Sequence, residues 1–142
     1  MLKRFSTNYM VLLFLVDMLI VQVSLGLGMR LRFLLPWGQN LQPVWVPDLV
    51  YVPTPLLHVA VGIIWAISML LGFVYTPRKI IHWSEELQHI LMSHTVAALC
   101  LAGLLYMVKV ELPRLTFGYF FLLAAAGFVG YRVVLRIWAR SQ

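Results

Sequence analysis

Apolar residues gather into four long runs, residues 9–29, 54–75, 90–108 and 117–138, separated by stretches richer in charge, proline and tryptophan. A helix needs roughly 20 apolar residues to cross a bilayer, so each run predicts a membrane-spanning helix. Asp17 breaks the pattern well inside the first run and Arg132 well inside the last. Either one alone is costly in hydrocarbon, so each requires a partner or a task.

Composition strengthens the pattern. Of 142 residues, 62% are hydrophobic and 11% charged, with a mean hydropathy of +0.89. That leaves too little polar surface for a soluble globule and no room for a second, soluble domain. The expected fold class is therefore all-α: one polytopic membrane domain, residues 1–142, with four transmembrane helices. Lys3 and Arg4 before the first run resemble the start of a signal peptide. The run is too long for that, carries Asp17 and shows no small-x-small cleavage site before Arg30, so a retained helix is expected. Cys100 is the only cysteine, which excludes a disulfide framework and a thiolate metal cluster.

The net charge of +6 sits mainly at the ends of the apolar runs, where anionic headgroups are a simpler partner than nucleic acid. Threading the four runs in order puts Lys3, Arg4, Arg78, Lys79, Arg136 and Arg140 on one side. Arg30, Arg32, Lys109 and Arg114 fall on the other. Six against four places both termini in the cytoplasm and makes the first six the headgroup-contacting residues.

Between the runs, residues 32–54 carry Pro36, Pro43, Pro47 and Pro53 with Trp37, Trp45 and Tyr51, which predicts an outer segment along the membrane surface. Thr76-Pro77 reads as a helix start. Over 77–89, Ile80, Trp83, Leu87, Ile90 and Leu91 share one face, and Arg78, His82, Glu85, Glu86 and His89 the other. A short amphipathic helix on the cytoplasmic surface, leading into the third span, is expected. Gly62 with Ala66, Ala98 with Ala102, and Ala126 with Gly130 are spaced as packing seams within the bundle. The chain closes on Arg132, Arg136 and Arg140 at helical spacing without a helix stop, as expected of one that continues.

Depth decides how the buried charges are read. Asp17 is ~13 Å beyond Asn8 and Arg132 ~9 Å before Trp138, similar levels of the cytoplasmic half if both termini are inside. His94, ~8 Å past His89, has a comparable depth. Asp17, Arg132 and His94 are thus expected to form an intramembrane polar cluster, acting as a register lock in preference to a proton or substrate site. His58 and His94 lie near opposite ends of their spans and cannot share a haem iron. His82 with Glu86 and Glu85 with His89 have i, i+4 ligand spacing but no further ligands, which fits a solvated face and no metal. Neither a phosphate-cradling glycine loop nor a nucleophile motif is present, so no catalytic, cofactor or metal residue is assigned.

Four features in order, Asp17 with Arg30-Leu31-Arg32-Phe33, Tyr75 to Arg78, Glu85-Glu86-Leu87, and Arg132 with Arg136, make the chain resemble a known module. This is the N-terminal membrane domain of bacterial polyprenyl-phosphate hexose-1-phosphate transferases, which initiate exopolysaccharide and O-antigen assembly. Pro113-Arg114 departs from the Ser-Arg often found in that family's outer hairpin. The resemblance implies a four-helix inner-membrane anchor preceding a cytoplasmic region and a catalytic domain. That domain would use an Asp-Glu pair and magnesium to move a sugar phosphate from a nucleotide sugar to a polyprenyl phosphate. Its motif is not in these residues, so the implied role is anchoring, positioning and self-association, with lipids and polyprenyl phosphate as implied partners. Two rivals are a small four-span proton-coupled transporter using Asp17 and an accessory subunit of a larger membrane complex.

Overall fold

The computed structural model describes residues 2–35, 54–75, 83–108, 112 and 114–141. Among them are four helices and no strand: α1 (Leu2–Leu34), α2 (Pro55–Leu71), α3 (Trp83–Val108) and α4 (Arg114–Arg140). The proline-rich segment 36–53, the start of the expected surface helix with Arg78 and Lys79, and the side chains of Lys3, Arg4 and Arg140 lie outside the described residues.

Each helix buries a stripe at every third or fourth position. On α1 the stripe is Leu13, Asp17, Val21, Leu25 and Met29; on α4 it is Thr116, Phe120, Ala124, Phe128 and Arg132. Leu57, Val61, Trp65 and Met69 form it on α2, and Glu86, Ile90, Ala97 and Leu101 on α3. This is the 3.6-residue period that turns one face inward. Large apolar side chains cover the outer faces, among them Leu15, Leu19, Ile63, Ile67, Leu99, Met107, Leu122 and Val134. Outward-facing leucine, isoleucine and valine on all four helices suit hydrocarbon, not water.

The helices pack in a closed ring, α1 against α4 and α2, and α3 against α2 and α4. Neighbours run antiparallel: Gly28 meets Phe120 while Asp17 meets Arg132 on the α1–α4 seam. Three helices are long and apolar enough to cross a membrane, over Asn8–Arg32, Trp83–Val108 and Arg114–Trp138. With only 17 residues α2 is shorter, about 26 Å at 1.5 Å per residue.

What stops α2 also shapes the polar centre. Val74 N–H donates to Met69 O and Phe73 N–H to Leu70 O, the paired bonds of a Schellman end, with Phe73 at φ 50° in the left-handed position. Glycine ordinarily occupies that position, yet Gly72 precedes it. Gly72 is needed for proximity: a Cβ there would sit 1.9 Å from Ser93 Oγ on α3. The strained turn carries Tyr75 back toward α1.

The helix seams differ from expectation. Gly62 does face a neighbour, Gln22 on α1, and Ala98 is buried, but Ala102, Ala126 and Gly130 point outward. On the α1–α4 seam the backbones come close at Gly28, where a Cβ would meet Phe120 N at 3.0 Å. Small-residue spacing alone does not fix which side of a helix faces inward, because it carries no information on the azimuth of the rest of the stripe.

Candidate functional site

Two acids and two arginines meet where α1, α3 and α4 converge. Arg132 Nη2 donates to Asp17 Oδ2 at 2.9 Å, and its Nη1 donates to Glu86 Oε1. Glu86 Oε2 accepts from Arg136 Nη2 at 2.9 Å. Tyr75 OH donates to Asp17 Oδ2 at 2.6 Å. Arg136 also lies over the Trp83 ring, 5.0 Å from its centroid, and Arg132 over the Tyr131 ring at 5.4 Å.

Asp17 is completely buried, and the side chains of Arg132 and Glu86 are 3% and 6% exposed. Arg136, at 29%, is the member that reaches the surface. Two carboxylates and two guanidiniums cancel formally, the condition under which buried charges are tolerated. Three further buried atoms, Asp17 Oδ1, Tyr131 OH and Arg132 Nε, make no hydrogen bond of normal geometry among the described residues.

The local folding of the site follows from the stripes. Asp17 occupies a core position four residues after Leu13 and four before Val21; Arg132 follows Phe128 by four, and Glu86 precedes Ile90 by four. Each charged residue therefore falls on an inward face by helical phase alone.

Sequence reasoning placed Glu86 on the polar, solvated face of a surface helix, and the structure corrects this. From Trp83 onward one continuous helix runs to Val108, and Glu86 lies inside the bundle as the residue joining Arg132 to Arg136. Its four-residue spacing from Ile90 was the signal that would have found it. Glu85, its neighbour, is exposed.

Depth matching placed His94 with Asp17 and Arg132; the structure sets it apart. Trp65 Nε1 donates to His94 Nδ1 at 3.0 Å, and His94 Nε2 donates to Phe121 O at 3.0 Å. Phe121 stacks on the imidazole with centroids 4.5 Å apart, and Phe128 meets it edge-on. The physical reason is the helix start. With Glu86 at the level of Arg132, His94 lies eight residues, about 12 Å, further along α3.

The other described histidines also bridge helices. His58 Nδ1 donates to Gln22 Oε1 at 2.7 Å while Gln22 Nε2 donates to His58 O at 3.0 Å, clamping α2 to α1. His89 Nδ1 donates to Gly72 O at 3.1 Å, tying α3 to the end of α2. Among the described residues no group of three metal-ligating side chains converges.

Two small clefts flank the network. One, about 330 Å³, is lined by Trp83, Val133, Arg136 and Ile137. The other, about 370 Å³, lies between α1 and α4 against Leu12, Leu13, Val16, Tyr131 and Val134 and is almost wholly apolar.

The class thus defined is a helical membrane-associated bundle closed around a neutral charge network. Residues 62–142, more than half of the chain, match the CoA-binding domain family, and the chain belongs to that family, which is found in sugar transferase-related proteins. No curated protein and no solved structure matches it. The described residues do not fit coenzyme A: the buried arginines among them are already ion-paired, and neither cleft presents a set of uncommitted cations to a nucleotide.

Proposed function

We propose that this chain is the membrane-anchoring and positioning bundle of a glycosylphosphotransferase, an enzyme that moves a sugar 1-phosphate from a nucleotide sugar onto a polyprenyl phosphate. The bundle itself performs no chemistry. It sits in a bacterial inner membrane with both termini in the cytoplasm, where nucleotide sugars are found, and its partners are lipids and other copies or subunits within the membrane.

One observation carries this reading: among the described residues, every charged side chain buried at the centre is bonded to another, joining three helices. A site for turnover keeps a group available to substrate, whereas here the ionisable groups hold helices together. The family's occurrence in sugar transferase-related proteins supports the enzyme context. A proton-coupled transporter requires an acid that exchanges with solvent, and Asp17 is fully buried beneath a guanidinium and a tyrosine.

A chimera tests it. Residues 1–142 are grafted in place of the membrane domain of an active polyprenyl-phosphate sugar phosphotransferase, and transfer from nucleotide sugar to lipid is measured in membranes. Transfer is expected within a few-fold of the parent enzyme, while residues 1–142 alone give none. An inserted but inactive chimera, or turnover by the chain alone, overturns the reading.

A further inference from the structure

We infer that the segment matching the CoA-binding family binds no coenzyme A in this chain, because among the described residues the charged groups that could hold a nucleotide at the centre of the bundle are committed to holding the helices.

Charge is the first reason. Coenzyme A carries a monoester phosphate, worth about −1.5 to −2 at neutral pH, in addition to a diphosphate. A site for it must present several cations at once, usually with backbone N–H groups from a glycine-rich turn or a helix N-terminus. Within the matched segment the arginines whose side chains the structure describes are Arg114, Arg132 and Arg136, while Arg78, Lys79, Lys109 and the Arg140 side chain lie outside the described residues. Arg132 bonds two carboxylates and Arg136 one, so their field is cancelled inside the bundle. Arg114 begins α4 and is separated from Arg136 by about six helical turns, roughly 33 Å, beyond the reach of one diphosphate.

Backbone geometry is the second. The helix start nearest the network is that of α3, whose first turn carries Glu85 and Glu86, and two acids there repel an anion from the N–H groups. The described glycines of the segment lie inside helices or at the Gly72 cap, where they set helix contacts or face outward; none forms a strand-to-helix phosphate turn. Size is the third. The cleft beside Arg136, about 330 Å³, is at the lower end of what holds a drug-sized ligand, and coenzyme A is larger than these.

Isothermal titration of coenzyme A into the full 142-residue protein in lipid nanodiscs, with empty nanodiscs subtracted, tests this. No saturable heat is expected up to about 1 mM ligand. A parallel titration with adenosine 3′,5′-bisphosphate should be equally silent. Saturable one-to-one binding of either compound overturns the inference and leaves the anchoring role standing, since the chimera measures that separately.

Discussion

Replacing Arg132 with methionine should cost more stability than any other single change in the polar network. Its two terminal nitrogens bond Asp17 and Glu86, so Arg132→Met removes two charge-assisted bonds and leaves both acids short of a cation. At about 1.5–3 kcal/mol for each such bond, the loss is about 3–6 kcal/mol. Asp17→Asn removes one ion pair and retains a polar group for Tyr75, costing about 1.5–3 kcal/mol. Glu86→Gln weakens two bonds, but Arg136 is partly exposed and screened, which places its cost between the others at about 2–4 kcal/mol. The double change Asp17→Leu with Arg132→Met should be less damaging than Arg132→Met alone, because it no longer strands the fully buried acid. Titration of each variant from mild detergent into SDS, with helix content followed by far-ultraviolet circular dichroism, gives the order. An Asp17→Asn loss equal to or above that of Arg132→Met, or strict additivity in the double variant, would refute the reasoning.

Helix seams and the histidine bridge give three more outcomes. Gly28→Ala should destabilise by about 1–3 kcal/mol because its Cβ meets only the backbone of Phe120 and Thr116, and Gly127→Ala should destabilise as well, since its Cβ would lie 2.6 Å from Cγ2 of the stiff, β-branched Ile20; thermal unfolding in detergent should show a lowered midpoint for both. Gly72→Ala should lower the melting temperature, and adding Ser93→Ala should recover part of the loss, because the clashing atom is Ser93 Oγ; no recovery would mean the α2–α3 contact lies elsewhere. His94 should be a neutral imidazole protonated on Nε2, visible in nitrogen-15 NMR, and Trp65→Phe should cost about 1–3 kcal/mol by leaving His94 Nδ1 without its donor.

Much of the fold was legible because hydrophobic length and helical phase act on the chain directly. The apolar runs located all four helices, and the depths of Asp17 and Arg132 are those at which the structure brings them to 2.9 Å. What was hidden depends on where helices begin and how they turn. Treating residues 77–89 as a surface helix set the start of the third span too late, which put Glu86 outside the bundle and His94 about two turns too close to Arg132. The bond from Tyr75 to Asp17 needs the left-handed Phe73, and nothing in a Gly-Phe pair announces that the glycine is used for closeness to α3 and not for the turn. The expected run 54–75 likewise ended early as a helix, at Leu71, for the same reason. The family match begins at residue 62 and so omits α1, yet α1 supplies the acid that satisfies Arg132.

A cross-link across the α1–α4 seam tests the bundle and its register together. The Cβ built at Gly127 lies 3.8 Å from Ile20 Cβ, within the usual disulfide range of about 3.5–4.5 Å. In a Cys100→Ser background, the pair Ile20→Cys and Gly127→Cys, oxidised in native membranes, should form an intramolecular disulfide in high yield. Adding Arg132→Met should reduce that yield, as expected if the charge network holds the seam closed. A pair that stays reduced, cross-links only between chains, or is indifferent to Arg132→Met would contradict a bundle clasped by its buried charges.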